Sequence, residues 1–464
     1  MTLDSRTQPA AAADSNVPWW RLLTGYHWFV FFVASGAWFF DCVDQRIFSL
    51  ARIPALSTLM QLPPGDQAVQ GFGKIVTAFF LIGWGVGGMT FGALGDRFGR
   101  ARMLIITVLT YSVCTGLTFF SPTPWGFTIF RCLTGVGIGG VFGLAVALIA
   151  ETVPAEARPQ SLGLLQVLST VGNASAVFVK MGVDKLEAAN VLPAGNSWRY
   201  MFLIGIVPAI LVVLAGRKLR EPERWLHLKE QGLLSKGGIF SSYTRLFQSR
   251  RWRRNLVVGA LIASTGVIGL WAIGEYAVDL QRAVFKSYYE QLPGHGDVKQ
   301  LVNSAINRAY LLQMLGGAIG MWLFTRIAGA TGRRLAFLLG FSAALVVTFF
   351  VYWKLNSPAD AYWMMPLMGG AQLCVFAGFS IYLPELFPSE LRSTGTSFCY
   401  NLGRFAAAGG SLYSSHLSGQ VFGSYASPLP LRYSAMTMCA IFLIGLAALP
   451  FAPETRGKPL PEDM

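Results

Sequence analysis

An eight-residue pattern occurs twice in this chain and divides it into two related halves. Residues 151–158 and 385–392 both read E-x-x-P-x-E-x-R, and they stand 234 positions apart in a chain of 464 residues. Each copy lies between two long apolar segments, and residues 221–224 after the first half have a counterpart in 453–456 after the second. Two tandem copies of one membrane unit are therefore predicted. In membrane proteins, two parallel repeats usually enclose a site at their interface.

The composition excludes a soluble fold. Hydrophobic residues make up 53% of the chain and charged residues only 13%, whereas a soluble protein carries about 25% charged residues. The net charge of +14 does not indicate nucleic-acid binding, because the basic residues cluster in short loops between apolar segments. No cleavable signal peptide is predicted in residues 1–26. The six cysteines lie within apolar segments without metal spacing, so we predict neither a metal site nor a cofactor.

Twelve apolar segments are long enough to cross a membrane, since a spanning helix needs about 20 mostly apolar residues. Strands are not expected, because the apolar runs are too long and do not alternate. The predicted fold class is an all-α membrane protein with twelve transmembrane helices in two pseudo-symmetric six-helix bundles. The twelve segments are 27–50, 72–94, 101–121, 124–150, 160–182, 198–216, 255–279, 306–328, 333–353, 361–384, 392–417 and 431–451.

The basic residues predict the orientation of these helices. The region between the halves carries eleven Lys and Arg residues, and the short loops 95–102 and 329–334 add more on the same side. Because basic loops face the cytoplasm, we expect both termini there. We expect a multi-pass plasma-membrane protein of a bacterial inner membrane. The less basic loops 51–71, 183–197, 280–305 and 418–430 should lie outside. The predicted divisions are a cytoplasmic tail 1–26, a six-helix bundle 27–216, a basic linker 217–254, a second bundle 255–452 and a tail 453–464.

Charged residues in the predicted cytoplasmic loops form a candidate gate. Asp96 can lie near a helix N-terminus, where negative charge is favoured. Arg97 and Arg100 of the same loop can reach the carboxylates of Glu151 and Glu223. Such a network would hold the halves together in one state and break in another; the alternative is that the charges only fix topology. The second-half loop 326–334 lacks the Asp, so its contacts should be weaker. The candidate gate residues are Asp96, Arg97, Arg100, Glu151, Arg158, Glu223, Arg333, Glu385 and Arg392.

Several of these motifs resemble one family. Residues 92–100 resemble the signature loop of the major facilitator superfamily. Residues 131–140, the two octets, 222–225 and 453–457 resemble its sugar-porter and organic-ion branch. The resemblance extends over about 27–462 and implies the major facilitator fold, in which two bundles rock about a central site. It implies a transporter, not an enzyme, and we expect a monomer in the lipid bilayer.

Three charged side chains lie at matching depths inside apolar segments. Asp41 and Asp44 are three positions apart, so they share a helix face, and Arg131 lies at a similar depth in the fourth segment. Ionisable residues inside a span are functional candidates by default. An Asp beside an Arg stays ionised, and it can take up a proton once the Arg moves away. A static ion pair that braces two helices is the alternative, and Arg46 could neutralise either aspartate.

The resemblance adds a role for this group. The D-x-x-D spacing resembles that of aromatic-acid and sialic-acid proton symporters. In the proton-coupled sugar porters, the residues that match Asp44 and Arg131 form an ion pair. The resemblance therefore implies proton coupling through Asp41, Asp44 and Arg131, with Asp44 the first candidate and the proton gradient as the energy source.

Arg404 lies at the middle of the eleventh segment, with Tyr400 and Asn401 one turn earlier on the same face. A buried Arg stays charged and presents a planar fork of donors that suits a carboxylate. Its position resembles that of the Arg in organic-anion carriers, which implies an anionic substrate. The alternative is an intraprotein ion pair, for which Glu275 is the candidate.

Further polar residues suggest contacts with a substrate. Gln166 and Asn173 lie two turns apart on one face of the fifth segment and match polar sugar-contacting positions of the sugar porters. The paired glutamines that those porters carry in the seventh helix are absent, which argues against a neutral sugar. Trp271 is expected in the cavity wall or the core. The candidate substrate-binding residues are Arg404, Asn401, Tyr400, Gln166, Asn173, Trp271 and Glu275.

Together these features predict proton-coupled uptake of a small organic anion: a sugar acid, a sialic-type acid or an aromatic carboxylate. Symport of a neutral sugar or polyol is the main alternative. Drug efflux is disfavoured because residues 167–174 lack the Gly-Pro signature of such antiporters. A non-transporting nutrient receptor is disfavoured by the short tails. An enzyme is disfavoured because no nucleophile–base pair or phosphate loop occurs, and the glycines of 135–139 lie inside a helix.

Overall fold

The computed structural model describes residues 18–461 except 65, 194, 233–240 and 293–296, and it leaves out the side chains of 275, 276, 411, 412, 414 and 415. This part of the chain contains twelve long helices and no strand. Eleven of them are long and apolar enough to cross a membrane, and the twelfth, α11, carries more polar residues. The helices are α1 (Gly25–Met60), α2 (Gln67–Phe98), α3 (Arg100–Thr118), α4 (Pro124–Thr152), α5 (Arg158–Ala188), α6 (Ser197–Gly216), α7 (Arg250–Glu290), α8 (Val298–Thr331), α9 (Arg333–Lys354), α10 (Pro358–Glu385), α11 (Arg392–His416) and α12 (Leu429–Phe451).

Helix starts repeat between the two halves. The Thr123 hydroxyl accepts the backbone N–H of Gly126 at 3.1 Å, and Pro124 follows at the first helical position. Ser357, 234 positions later, begins α10 in the same way with Pro358. Ser and Thr satisfy a free N–H of the first turn, and Pro has no N–H to satisfy there. The same local chemistry therefore places α4 and α10.

Several helices continue well beyond the predicted apolar segments. The predicted outer loops 51–71 and 280–305 are largely helical, because α1 continues to Met60 and α7 to Glu290. The predicted linker 217–254 contains two short helices, Glu223–Glu230 and Ser241–Gln248, and α7 begins within it. Hydropathy detects only the part of a helix that needs an apolar solvent, whereas the backbone hydrogen bonds continue into polar surroundings.

The two halves meet through corresponding helices. In the first half α2 packs on α4, and in the second α8 packs on α10. Between the halves, α2 contacts α11 and α5 contacts α8. Because each half contains six spans, the start of α1 and the end of α12 lie on the same side as the short helix Glu223–Glu230, which we call the linker side.

Glycines permit the close approach of α2 and α4. A side chain on Gly139 would collide with the backbone carbonyl of Trp84 on the neighbouring helix. Small residues at such crossings are how membrane helices pack backbone against backbone. The predicted packing role of the glycines around 135–139 agrees with this crossing.

Replacing Gly139 with Val should lower the free energy of unfolding by about 1–3 kcal/mol, the usual cost of overpacking a tight contact. Thermal unfolding of the purified protein measures this effect as a lower midpoint. Gly36→Val is the matched control, because a side chain on Gly36 would meet nothing within 4 Å. Equal losses in both variants would show that the crossing of α2 and α4 tolerates a larger residue.

Candidate functional site

A narrow cavity of about 120 Å³ lies between the two halves. Six aromatic side chains form much of its wall: Trp38, Trp84, Trp271, Tyr310, Phe376 and Tyr400. Its polar lining includes Gln45, Arg46, Gln166, Ser169, Thr170, Asn173, Gln313 and Arg404. A concave, mostly apolar site with a few convergent polar groups is the usual form of a small-molecule site. Its volume is below the roughly 300–1,000 Å³ of drug-sized pockets.

Arg404 is a fully buried cation in this cavity wall, with 1% of its surface exposed. Its guanidinium carbon lies 3.8 Å from the ring centroid of Trp84 and 4.5 Å from that of Tyr400. Among the described side chains no carboxylate pairs with Arg404, and its Nε has no hydrogen-bond partner. The side chain of Glu275, the predicted intraprotein partner, lies outside the described residues. Such a guanidinium is suited to bind a carboxylate.

Tyr400 and Asn401, both predicted to contact a bound anion, occupy different places. Tyr400 lines the cavity, and its ring stacks on Phe142 with centroids 3.7 Å apart. The Asn401 amide is not part of the lining: its Nδ2 donates to the backbone oxygen of Ser397 at 2.8 Å. Its Oδ1 accepts a hydrogen bond from Arg404 at 3.1 Å. In this structure Asn401 therefore orients the guanidinium rather than facing the cavity.

Three other predicted residues face the cavity. Gln166 has a buried Oε1 with no hydrogen-bond partner. Asn173 donates its amide to the backbone oxygen of Ser169 at 2.9 Å. The Trp271 ring meets Trp84 edge to face at 5.6 Å, so one tryptophan from each half closes the same part of the wall. Gln166 therefore has acceptor capacity left for a bound molecule.

Asp44 and Arg131 form a buried ion pair inside the first half, away from the cavity lining. Arg131 NH1 lies 3.3 Å from Asp44 Oδ2, and both side chains are at most 1% exposed. Thr115 donates to Asp44 Oδ1 at 2.8 Å, and Arg131 donates to Thr118 and Thr134 at 2.7 and 2.9 Å. The pair that the sequence predicts between α1 and α4 is present, and threonines complete its hydrogen bonds.

Asp41 lies one turn away and has different partners. Gln45 donates its amide to Asp41 Oδ1 at 2.7 Å, whereas the buried Oδ2 has no hydrogen-bond partner. Since Gln45 also lines the cavity, this one side chain connects the cavity with the carboxyl group. Arg46 does not pair with either aspartate, because its guanidinium stacks 3.7 Å above the ring of Tyr310 on α8.

Four charged residues with buried side chains and one threonine join the two halves on the linker side. We call this group the closing cluster: Asp96, Arg100, Glu151, Arg392 and Thr394. Arg392 NH1 lies 2.6 Å from Glu151 Oε1, across the boundary between the halves. Arg100 NH2 bridges Glu151 at 3.2 Å and Asp96 at 3.1 Å. Asp96 accepts the backbone N–H and the hydroxyl of Thr394 at 2.8 and 2.6 Å. A carboxylate of α2 thus caps the N-terminus of α11, where negative charge is favoured.

The corresponding charges of the second half stay within that half. Arg333 NH2 lies 2.8 Å from Glu385 Oε1, and the Thr455 hydroxyl donates to the same carboxylate at 2.5 Å. Gly329 stands where the repeat places Asp96 in the first half. Among the described residues, this loop therefore makes no carboxylate contact across the boundary, in line with the weaker contacts expected of it.

Glu454 is held by backbone groups beside this pair. Burial alone raises the pKa of its carboxyl group, but the N–H groups of Arg333, Arg456, Arg334 and Thr455 lower it by a larger amount, so the pKa lies below its ordinary value. Glu454 is therefore ionised at neutral pH and fixes the start of α9 to the segment after α12.

Three predicted gate residues do not make the predicted contacts. In the described part of the chain Arg97 forms no ion pair; its guanidinium lies 5.1 Å from the Phe98 ring. Arg158 also lacks an ion pair, and its buried Nε has no hydrogen-bond partner. Arg392, which corresponds to Arg158 in the repeat, pairs with Glu151 of the other half. Glu385, which corresponds to Glu151, pairs instead with Arg333 of its own half.

Glu223 was predicted to contact the loop between α2 and α3, but Glu221 makes the contact with this part of the chain instead. Glu221 accepts the backbone N–H groups of Ala101 and Arg102 at 3.1 and 2.9 Å. Glu223 is already the first residue of a linker helix and forms no ion pair among the described residues. The extended segment before that helix brings Glu221, two residues earlier, to the N-terminus of α3.

Comparison with known proteins gives consistent matches. The model of the Major Facilitator Superfamily matches residues 27–411. An inferred metabolite transport protein of Haemophilus influenzae is 30% identical over 452 residues, covering 94% of this chain and 99% of that protein. A cis,cis-muconate transport protein of Acinetobacter baylyi is 26% identical over 333 residues, covering 71% and 75%. The E. coli proton:xylose symporter XylE, bound to 6-bromo-6-deoxy-D-glucose, matches with TM-score 0.72 and 19% identity, covering 94% and 98%. This likeness confirms the predicted twelve-helix fold.

Proposed function

The chain belongs to the major facilitator superfamily, and we propose that it is a proton-coupled symporter for the uptake of a small organic anion. Membership of this family makes it a membrane transporter and not an enzyme. The finer proposal concerns the charge of the substrate, the coupling ion and the direction of transport.

The observation that supports an anionic substrate is the positive charge of Arg404. It is buried in the cavity wall against two aromatic rings, and none of the described carboxylates pairs with it. Tyr400 and Asn401 accept hydrogen bonds from the guanidinium, but neither neutralises its charge. A buried charge without a paired carboxylate is costly, so a bound anion would lower the free energy of the cavity. Arg404 is thus proposed to bind the substrate carboxylate while Asn401 orients the guanidinium.

The aromatic wall supports a flat, conjugated acid within this class. Trp38, Trp84, Trp271 and Phe376 offer faces and edges to a planar ring or diene, and Tyr400 lies beside the cation. The muconate transport protein that resembles this chain carries an organic acid by name. An aromatic or unsaturated carboxylate is therefore favoured over a sugar acid or a sialic-type acid.

For proton coupling, the buried charges of α1 provide the support. Asp44 and Arg131 form the pair that is proposed to break and reform, and Asp41 is connected to the cavity through Gln45. A proton on Asp44 would remove the negative charge with which Arg131 pairs, and a proton on Asp41 would remove the buried negative charge beside Gln45. Uptake of the anion would then be driven by the inward proton gradient.

The linker side is proposed to face the cytoplasm, with both termini there, in a multi-pass plasma-membrane protein. The closing cluster would then be the cytoplasmic gate of a monomer that works by alternating access. Its ion pair between Glu151 and Arg392 must break for the cavity to open on that side.

Uptake into liposomes tests this function. The purified protein is reconstituted, and accumulation of a labelled aromatic carboxylate such as benzoate or muconate is measured with and without an inward proton gradient. Gradient-stimulated accumulation of the acid, without accumulation of its neutral amide, supports the proposal. Transport of both at equal rates would contradict an anion site.

Symport of a neutral sugar or polyol is a second candidate, favoured by Gln166 and Asn173. Both face the cavity, and the Gln166 Oε1 has no hydrogen-bond partner. A hydroxyl group of a sugar could donate to this oxygen. Xylose uptake in the same liposomes distinguishes the candidates.

Replacing Glu151 with Gln should open the linker side. Arg100 and Arg392 would lose their shared buried carboxylate, and breaking such a pair costs about 3–5 kcal/mol. We expect hydrogen–deuterium exchange at the Ser393 and Thr394 amides, which donate to Asp96, to accelerate at least about tenfold. Glu230→Gln, on the exposed surface of a linker helix, is the control. Unchanged exchange in Glu151→Gln would contradict the gate.

A further inference from the structure

A second cavity opens on the linker side of the second half, far larger than the central one. Its volume is about 680 Å³. It lies between the start of α7, the end of α10 and the chain that follows α12. Four basic side chains line it: Arg250, Arg251, Arg254 and Lys458. Arg250, Arg251 and Lys458 are exposed and have no carboxylate partner in the described part of the chain.

The two carboxylates in this cavity do not cancel its positive charge. Glu385 is paired with Arg333 at 2.8 Å and accepts a hydrogen bond from Thr455. Glu454 is occupied by backbone N–H groups, as described above. Both acids thus have partners within the protein, whereas four cations line the cavity. The cavity also lies at the N-terminal end of α7, where the helix dipole adds to the attraction for an anion.

The basic face continues directly into an apolar one. Arg250, Arg254, Val257 and Leu261 follow one another at spacings of four, three and four, which places them on one face of α7. Val257 and Leu261 are 50% and 42% exposed, as expected of a surface that meets acyl chains. Arg254 donates to the backbone oxygen of Phe451 at the end of α12, and Phe451 itself is 60% exposed.

We propose that this basic cavity binds a phosphate-bearing anion at the membrane surface. The guanidinium groups are suited to phosphate oxygens, with which they form two parallel hydrogen bonds. The apolar stripe above them fits the acyl chains of an anionic phospholipid, which makes a lipid headgroup the favoured source of the phosphate. A soluble phosphate would use the same cations without the stripe.

Phosphatidylglycerol bound to the full-length protein is measured by native mass spectrometry during titration, with phosphatidylcholine as the zwitterionic comparison. The variant Arg250→Gln/Arg254→Gln removes two cations of the cavity. At roughly fivefold per basic residue near an anionic surface, phosphatidylglycerol affinity should fall on the order of 30-fold. The matched control Lys229→Gln/Arg253→Gln removes two exposed charges that do not line the cavity, and it should bind like the unchanged protein. Lys458→Gln provides a single change outside the helices, and it should also weaken binding.

A parallel titration with inorganic phosphate and glycerol 3-phosphate distinguishes the sources. Tight binding of phosphatidylglycerol alone supports the lipid, and equal binding of the soluble phosphates supports the same site with a soluble ligand. Equal affinities in the cavity variant and in the control variant, for every ligand, would overturn the proposal.

Discussion

Arg404→Gln is expected to abolish uptake of the organic anion. The guanidinium is the only cation among the described residues that is both fully buried and part of the central cavity wall. Arg46 also lines the cavity, but it is only partly buried and stacks on Tyr310. Removing one partner of a buried charge pair costs about 2–5 kcal/mol, which corresponds to roughly 30- to several-thousand-fold weaker binding. Substrate affinity, measured by calorimetry or by substrate-induced thermal stabilisation, should fall by at least the lower figure.

Arg404→Lys should fail almost as completely. The guanidinium carbon lies 3.8 Å from the ring centroid of Trp84 while the group donates to the Tyr400 backbone oxygen and to Asn401. An ammonium group lacks the planar fork of donors that makes these contacts together. Arg282→Gln, an exposed charge on α7, is the control and should transport normally. Full uptake of a carboxylate by Arg404→Gln would refute the anion site, and retained uptake of a neutral sugar by that variant would favour the second candidate function.

The fold follows from the sequence because its determinants are local or repeated. Helices are specified locally by the apolar segments, by the repeated eight-residue pattern and by the capping pairs Thr123–Pro124 and Ser357–Pro358. None of these features needs information from distant parts of the chain. Helix ends were less predictable. The polar extensions of α1 and α7 depend on packing against neighbouring helices, which hydropathy does not measure.

The charged members of the site were predictable, but their partners were not. Charges are rare inside a membrane, so Asp44, Arg131 and Arg404 stand out in the sequence. Gln45 and Trp84 do not stand out, although one contacts Asp41 and the other stacks on Arg404. The contact of Trp84 with Arg404 arises from the approach of α2 and α11, which are far apart in sequence and which no motif links. Gln45 contacts Asp41 one turn earlier on the same helix, but its place in the cavity lining depends on how the other helices pack around α1.

The repeat held one further signal. An alignment of the two Pro-Glu dipeptides pairs Glu223 with Glu454. In the structure, however, it is Glu221 that makes the contacts corresponding to those of Glu454. Both accept backbone N–H groups at the start of a helix that follows a glycine of positive φ, Gly99 and Gly332 respectively. Glycine is needed at these turns because L-residues rarely adopt that conformation. Counting 233 positions from Glu454 leads to Glu221.

Asp44→Asn is expected to uncouple transport from the proton gradient. Asn keeps the shape of the side chain and can still accept from Thr115 and Arg131, but it neither carries a charge nor binds a proton. Accumulation driven by an inward proton gradient should fall at least about tenfold, to the level of the outside solution, because equilibrium without coupling allows no concentration gradient. Exchange of labelled for unlabelled substrate, which needs no net proton movement, should continue.

The pH dependence provides the second measurement for this variant. With the proton as co-substrate, as proposed, uptake by the unchanged protein should rise as the external pH falls. In Asp44→Asn this rise should be absent. Asp66→Asn is the control, since Asp66 caps the exposed start of α2 and Asn caps a helix equally well. Asp41→Asn decides between the two carboxyl groups. If it loses accumulation while Asp44→Asn keeps it, Asp41 carries the proton and the pair of Asp44 with Arg131 is a static brace between α1 and α4. If both variants still accumulate substrate against its gradient, neither aspartate couples transport, and the driving ion must bind elsewhere in the protein.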